Sequence, residues 1–287
     1  MDVIRGREPF RDACEDGRLA GRTVGFVPTM GFLHEGHLSL VRRARRDDDL
    51  VAVSIFVNPL QFGPAEDLAA YPRDPDRDLK LLEAEGVDLV FLPEAEEMYP
   101  DGEPQVTVDP GPLGEVLEGA SRPGHFRGVC TVVAKLLGLV GPCRAYVGEK
   151  DAQQVAVIRR MVEDLDLPVS VVVGETVREP DGLALSSRNS YLSEEERRAA
   201  RCLSQALASA ARAVEGGERD AAVLKAEMAR RIGAEALAAL DYVAVVDDRT
   251  FREVERVGGP SRALVAARIG STRLIDTMRL PVPVEAA

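Results

Sequence analysis

Between residues 23 and 175 the sequence alternates short apolar runs with segments of helical periodicity. The apolar runs lie at residues 23–28, 50–57, 87–92, 144–148 and 169–173, and each has the length of a strand. Amphipathic segments at 38–46, 76–85, 131–140 and 151–165 alternate with them. Strands that are apolar on both faces and alternate with helices are typical of a parallel sheet covered on both sides. The pattern therefore predicts a doubly wound, Rossmann-like α/β domain.

The character of the sequence changes after residue 189. Ser193 and Glu196 have the spacing of a capping box that opens a long helix rich in Ala and Arg. A second helix is predicted at about 220–240, followed by β-rich stretches at 242–246, 263–269 and 272–278. These elements predict a smaller α+β domain, so we expect domains at 1–176 and 177–287.

The charge of the chain restricts its partners. The formal net charge of −12 argues against binding to nucleic acid or to anionic lipid, which both require a basic face. The basic run at 42–46 is followed at once by three aspartates, which is typical of a solvated helix end. There is no run of ~18 apolar residues, no secretory signal pattern, and no metal or redox spacing among the four cysteines. We expect a cytoplasmic protein.

All three histidines fall in two segments punctuated by Gly and Pro, at residues 28–37 and 121–128. His34 and His37 lie on the predicted turn between a strand and a helix, which is the ligand crevice of open α/β sheets. Gly31 and Gly36 would let the backbone approach a ligand, and both imidazoles could donate to one polyphosphate. Zinc is the competing interpretation, but the spacing is not the His-Glu-x-x-His pattern of zinc proteases.

Polar residues follow two further strands. Asn58 and Gln61 could bind hydroxyl and carboxylate groups, although an ordinary Asn-Pro turn explains them equally well. Lys150 is a cation suited to phosphate, and Asp151 could orient it or cap the next helix.

A fourth polar segment, residues 185–189, places two hydroxyls beside a guanidinium. Ser186, Ser187 and Arg188, with Arg178 upstream, could clamp a triphosphate, and a surface loop with a stray arginine is the alternative. The sequence has neither a Walker loop nor a Gly-x-Gly-x-x-Gly motif, which disfavours kinases and dehydrogenases.

Taken together, these segments resemble the pantothenate synthetase (pantoate–β-alanine ligase) family of nucleotidyl-transferring Rossmann proteins with a His-x-Gly-His motif. The resemblance runs through most of the chain. It rests on residues 28–37, 56–62, 71–73, 122–126, 148–151 and 186–189 in that order.

The resemblance implies a two-step reaction. ATP and (R)-pantoate would give pantoyl adenylate and pyrophosphate, and β-alanine would then release pantothenate and AMP, with Mg²⁺ bound through the phosphates. His34, His37, Lys150 and Arg188 would be catalytic, with His37 as the proton donor. The implied ATP site comprises Met30, Gly31, Phe32, Leu33, His34, Glu35, Gly36, His37, Gly148, Glu149, Lys150, Asp151, Val177, Leu185, Ser186, Ser187 and Arg188. Met30, Asn58, Gln61 and Gln154 would bind pantoate or β-alanine, and no metal is bound by protein side chains.

The chain departs from the family pattern at three positions. Leu185 stands where Met is frequent, Ala152 where an aromatic residue is common, and Arg77 where an acidic residue usually precedes Asp78. A role for that acidic pair is therefore not carried over. His125 could contact phosphate or pantoate, or brace its own loop through Arg122 and Phe126.

Two other functions compete with the ligase. A His-x-Gly-His turn on a Rossmann sheet also serves nucleotidyl transfer to phosphorylated acceptors such as phosphopantetheine. For such an acceptor, extra Lys or Arg would be expected in place of Gln61 and Gln154. A regulatory module that binds nucleotide without turnover is the non-enzymatic alternative. The resemblance also implies a homodimer through the larger domain, with residues 50–57 as the candidate contact.

Overall fold

The computed structural model describes residues 1–64 and 66–282. Contacts divide the chain into two units. The first contains residues 1–148 and 157–175, and the second contains 149–156 and 176–287. The predicted domains at 1–176 and 177–287 differ from this division chiefly in residues 149–156, which belong to the second unit although they directly follow a strand of the first. Chain order alone does not reveal such an exchange.

The first unit is built on a six-stranded parallel sheet. Its strands are β1 Asp2–Ile4, β2 Val24–Thr29, β3 Leu50–Ile55, β4 Leu89–Phe91, β5 Cys143–Gly148 and β6 Val169–Gly174. The helices in chain order are α1 Arg7–Leu19, α2 Glu35–Asp47, α3 Pro75–Ala84, α4 Ala95–Met98, α5 Glu118–Ser121, α6 His125–Val140 and α7 Ala152–Asp164, whose first turn belongs to the second unit. The predicted doubly wound class is confirmed.

The spatial order of the strands is β1-β4-β3-β2-β5-β6. The chain steps across the sheet in one direction from β2 to β4 and in the opposite direction from β5 to β6. Because the connection that leaves β2 runs to β3 and the connection that leaves β5 runs the opposite way to β6, the carboxyl ends of β2 and β5 form the topological switch point. Thr29 and Gly148 are the last residues of these two strands. The His34–His37 turn therefore begins where such sheets bind ligands.

Strand β3 is paired on both sides and all six of its residues are buried within the chain itself. The expectation that residues 50–57 form a dimer contact is therefore wrong for the strand. Its apolar character reflects its place inside the sheet, not an exposed surface.

The second unit contains α8 Glu194–Glu215, α9 Ala221–Gly233 and an antiparallel sheet of β7 Ala238–Asp247, β8 Ser261–Ile269 and β9 Thr272–Leu280. Ser193 and Glu196 form the predicted capping box. The predicted helix at 220–240 is too long, because α9 ends at Gly233 and Ala238 already pairs with Ile269. Pairing with β8 overrides the helix propensity of this Ala- and Leu-rich stretch.

Two helices of the first unit begin earlier than predicted. Helix α2 starts at Glu35 because the side chain of His34 caps it, and α6 starts at His125 after Gly124 in the left-handed conformation. No helix in the described part of the chain combines the length and apolar character needed to cross a membrane.

Candidate functional site

The turn after β2 has a backbone that few sequences can adopt. Gly31 has a φ of +80° and Phe32 a φ of +50°. A Cβ on Gly31 would lie 2.9 Å from Cγ2 of Ile55 and 3.0 Å from Oδ2 of Asp78. Glycine is therefore required at position 31 both by conformation and by space.

The carboxylate of Asp78 holds this turn. Its Oδ2 accepts the N–H of Phe32 at 2.7 Å and its Oδ1 the N–H of Leu33 at 2.8 Å. Burial raises the pKa of Asp78, and the two N–H donors oppose that shift. The guanidinium of Arg77 lies 5.4 Å from the centre of the Phe32 ring, which gives this departure from the family pattern a cation–π contact.

The amides expected to face a ligand are thus partly engaged inside the protein. The N–H groups of Phe32 and Leu33 are occupied by Asp78, and the side chain of Leu33 is buried in the core. The carboxylate of Glu35 pairs with Arg42, which lowers the pKa of Glu35. We therefore propose that Leu33 and Glu35 shape the turn and do not themselves bind ATP through their side chains.

Replacing Asp78 with asparagine is expected to lower the free energy of unfolding by roughly 1–3 kcal/mol, because the amide NH₂ cannot accept the second backbone N–H. The substitution should also reduce activity, since the turn carries both histidines. Chemical denaturation and turnover measure the two effects. Asp76→Asn, an exposed change on the first turn of the same helix, is the control; equal effects of the two substitutions would contradict the role of Asp78.

His34 and His37 form a reciprocal pair at the start of α2. Nδ1 of His34 accepts the N–H of Gly36 at 3.2 Å, and Nδ1 of His37 accepts the N–H of His34 at 3.3 Å. The two rings are 4.1 Å apart. Since an Nδ1 that accepts cannot carry the proton of a neutral imidazole, the hydrogen bonds assign that proton to Nε2 in both side chains. Each neutral histidine is therefore an Nε2–H donor.

The amide of Gln61 is oriented by Asn58. The Nδ2 of Asn58 donates to Oε1 of Gln61 at 3.1 Å and to the carbonyl of Gly128 at 3.1 Å. The Oδ1 of Asn58 accepts the hydroxyl of Tyr99 at 2.8 Å. Because its carbonyl oxygen is engaged by Asn58, the orientation of the Gln61 amide is fixed, and its Nε2 lies 3.1 Å from the sulfur of Met30.

Asn58 itself is 1% exposed. Its amide is held on every side by the protein, so we propose that it acts on pantoate through Gln61. Burial raises the pKa of Tyr99, which keeps its hydroxyl protonated as the donor to Asn58. Nothing in the sequence around Tyr99 indicated this contact.

His125 braces the backbone of Gln61. Its Nδ1 lies 2.8 Å from the carbonyl oxygen of Gln61, which can only accept, so Nδ1 carries the proton. Its Nε2 then accepts from Arg122 at 3.0 Å, and Arg122 is paired with Glu66 at 2.5 Å. The ring of Phe126 is 4.9 Å away. Of the alternatives left by the sequence, the structure favours the bracing role.

Burial, together with the neighbouring Arg122, lowers the pKa of His125 from 6.5 to about 4. The unfolded state therefore takes up a proton before the folded state, so the free energy of unfolding falls as the pH drops from about 6.5 to about 4 and stays lowered below that. We expect the free energy of unfolding to fall by about 2 kcal/mol more between pH 7.5 and 5 in the wild type than in His125→Asn. Asparagine retains a donor to Gln61 and does not titrate. Parallel urea denaturation series measure this, and identical pH profiles would contradict it.

In the second unit, the predicted segment 148–151 forms a short 3₁₀ helix, Glu149–Asp151, after Gly148 ends β5 in the first unit. The carboxylate of Glu149 lies 3.1 Å from Arg279 and 3.3 Å from Arg262. Lys150 and Gln154 are partly exposed. Glu149 is therefore an anchored residue, and Lys150 follows it directly.

The remaining predicted residues of this unit are brought together by a β-bridge. The N–H of Leu185 donates to the carbonyl of Val177 at 3.0 Å. The hydroxyl of Ser186 caps the 3₁₀ helix Ser187–Tyr191 by accepting the N–H of Arg188 at 3.3 Å. Ser187 is buried.

Arg178 does not have the phosphate-clamping role considered for it. Its guanidinium forms two hydrogen bonds with the buried carboxylate of Asp276, at 2.7 and 2.9 Å. It also donates to the carbonyls of Gly182 and Thr277. A guanidinium engaged in this way stabilises the loop that leads to Ser186.

Among residues 1–64 and 66–282, no three His, Cys, Asp or Glu side chains are arranged to hold a metal ion. The residues that sequence reasoning missed are mainly ones that hold predicted site residues in place. They are Asp78, Tyr99, Arg262 and Arg279. Asp78 was the only one with a sequence signal, through its place next to the departure at Arg77.

A parallel sheet with paired imidazole donors at its switch point defines a Rossmann-type nucleotide-binding enzyme with a His-x-Gly-His turn. The more particular assignment comes from comparison with known proteins. The chain belongs to the pantoate-beta-alanine ligase family, whose pattern matches residues 2–279.

Individual relatives agree with the family. A pantothenate synthetase of Heliobacterium modesticaldum is 61% identical over 262 residues, covering 91% of this chain and 93% of the relative. The crystal structure of pantothenate synthetase from Thermus thermophilus is 49% identical, with a TM-score of 0.90 and coverage of 97% and 99% of the two chains. A pantoate-beta-alanine ligase from Francisella tularensis, complexed with beta-gamma ATP and beta-alanine, is 33% identical, with a TM-score of 0.79 and 97% coverage of both chains.

Proposed function

We propose that this protein uses ATP to join (R)-pantoate and β-alanine, through pantoyl adenylate, and releases pantothenate, AMP and pyrophosphate. Family membership supports the reaction. The observation that carries the mechanism is the reciprocal pair of His34 and His37, because it makes both imidazoles Nε2–H donors at the switch point.

In the first step a pantoate carboxylate oxygen attacks the α-phosphorus of ATP. An O–P bond forms, the bond between the α-phosphorus and the bridging oxygen breaks, and pyrophosphate leaves with the electron pair. Negative charge grows on that leaving group, so fixed donors aimed at it lower the barrier. We assign this function to His34, His37, Lys150 and Arg188, with His37 donating a hydrogen bond from Nε2–H to the departing pyrophosphate.

In the second step the amine of β-alanine attacks the acyl carbon of the adenylate. The C–N bond forms, the bond from carbon to the AMP oxygen breaks, AMP leaves with the electron pair, and the proton of the amine passes to solvent water. No covalent enzyme intermediate is required, since the adenylate is already the activated acyl group. The protein's task in this step is to hold the amine beside the carbonyl.

The neutral amides of Gln61 and Gln154 suit pantoate. The NH₂ of Gln61 can donate to a carboxylate or hydroxyl oxygen of the substrate, and the orientation of this amide is fixed by Asn58. A phosphorylated acceptor would require cations at these positions. These side chains therefore support a hydroxy acid as the substrate rather than phosphopantetheine.

Nucleotide binding is assigned to the other predicted groups. We propose that Met30, Gly31, Phe32, Gly36, Gly148 and Val177 shape the nucleotide site, together with Leu185, and that Ser186, Ser187 and Asp151 assist Lys150 and Arg188. Mg²⁺ would enter with ATP as part of the substrate, because magnesium usually binds through substrate phosphates and retains several waters.

The mechanism is tested by pantoate-dependent exchange of labelled pyrophosphate into ATP in the absence of β-alanine. We expect exchange that requires pantoate. Formation of pantothenate with ADP and phosphate, without exchange, would show that the adenylate route is wrong. Phosphopantetheine as an alternative acceptor tests the competing transferase, and absence of any turnover would indicate a regulatory module.

We also propose a cytoplasmic homodimer. The four cysteines are free, and burial raises the thiol pKa of Cys14, Cys130 and Cys143 to about 12, so these are inert thiols suited to a reducing compartment. Sedimentation equilibrium measures the oligomeric state, and a monomer at micromolar concentration would exclude the dimer.

A further inference from the structure

The antiparallel sheet of the second unit places two arginines side by side. Arg262 on β8 and Arg279 on β9 are cross-strand partners. Like charges directly opposite each other destabilise a sheet. The side chain of Arg262 is only 4% exposed, so its charge needs anionic partners within the protein.

Two carboxylates supply that compensation. Asp248 lies 2.7 Å from Nε of Arg262 and 3.7 Å from Nε of Arg279. Glu149 lies 3.3 Å from Arg262 and 3.1 Å from Arg279 through the same oxygen, Oε2. Arg262 also lies 3.4 Å from the hydroxyl of Thr277. The result is a two-arginine slot, formed by Arg262 and Arg279, in which both arginines contact the same two carboxylates.

The two carboxylates have different origins. Asp248 directly follows β7 and belongs to the same sheet region as the arginines. Glu149 comes from the 3₁₀ helix Glu149–Asp151, 113 positions earlier in the chain than Arg262. It is therefore the ionic link between that helix and the sheet, and the next residue is Lys150.

We infer that Arg262 and Arg279 are positioning residues for adenylation, because their hold on Glu149 fixes the helix that presents Lys150 to the phosphates of ATP. This inference rests on the proposed role of Lys150. It also gives Glu149 a function that suits its charge, since a carboxylate facing a triphosphate would repel it. Neither arginine is required to touch a substrate.

The test substitution is Glu149→Gln, which removes the charge that occupies the slot and leaves Asp248 with both arginines. We expect the KM for ATP to rise about tenfold, because residues in one ion-pair network are usually coupled by an energy of that order. The KM for β-alanine should stay within twofold. The matched control is Glu253→Gln, which breaks an exposed ion pair with Lys225 in the same unit and should leave both constants unchanged.

A double-mutant cycle separates positioning from general stability. If Glu149 acts through Lys150, Glu149→Gln should have little further effect on pyrophosphate exchange in a Lys150→Gln background. Additive losses would overturn the inference, as would an unchanged KM for ATP in Glu149→Gln. The thermal unfolding midpoint of each variant shows that it is folded at the assay temperature. Pyrophosphate exchange by the wild type is measured on its own. Absence of that exchange would contradict the adenylate mechanism, whereas normal wild-type exchange with an unchanged KM for ATP in Glu149→Gln would contradict the positioning role of the slot.

Discussion

Replacing His37 with asparagine is expected to slow pantoate-dependent pyrophosphate exchange by about 10²- to 10³-fold, the usual effect of removing one preorganised donor to a developing charge. Asparagine retains an oxygen near the position of Nδ1, so it can still accept the N–H of His34 and complete the cap of α2. It lacks the Nε2–H. The free energy of unfolding should therefore stay close to the wild-type value while exchange is lost.

His37→Gln is the complementary variant. Its amide nitrogen can reach the position of Nε2, whereas its oxygen is misplaced for the cap. We expect it to exchange pyrophosphate faster than His37→Asn and to be less stable in chemical denaturation. Wild-type exchange by His37→Asn, or a fall in activity that follows only the loss of stability, would contradict a donor role for Nε2.

The second large effect is expected at Lys150. Lys150→Gln should reduce the rate of adenylation by about 10²- to 10³-fold, because a fixed cation at a transferring phosphoryl group is lost in a chain whose net charge is already −12. Single-turnover formation of pantoyl adenylate measures this step. The second step, started from supplied adenylate, should change less, since pyrophosphate has already left.

An equal change of charge elsewhere is the control for Lys150. Lys80→Gln removes an exposed cation from α3 and should leave adenylation within twofold of wild type. If the two substitutions slow adenylation equally, the effect belongs to the net charge and the site assignment of Lys150 is wrong. Lys150→Arg should retain part of the rate, because charge is kept and geometry is altered.

The fold was largely predictable from periodicity, for a physical reason. Runs such as residues 50–57 are apolar on both faces only when both faces are covered, so the covered parallel sheet followed from the sequence. Errors occurred where distant pairing or capping decided the outcome. Residues 238–240 have helix-forming side chains but pair with β8, and α6 begins at His125 only because Gly124 adopts a left-handed conformation.

The candidate site, like the fold, was only partly predictable from the sequence. The sequence selected His34, His37, Gln61 and Lys150 because each follows a predicted strand. It did not reveal which nitrogen of each histidine carries the proton or how the amide of Gln61 is oriented. That information resides in contacts with Asn58 and with backbone groups, which assign the Nε2 protons of the histidines and fix the orientation of the Gln61 amide.

By itself, the sequence determined the covered parallel sheet, the polar groups at its carboxyl edge and the family to be expected, because periodicity and motif spacing are local properties. Only the tertiary structure decided how those groups are held. Asp78 reaches the turn from α3 across 45 positions to Leu33, and Arg262 reaches Glu149 across 113. Such support depends on groups that become close only after folding, since burial makes the charges of Asp78 and Arg262 need partners that the chain supplies from elsewhere.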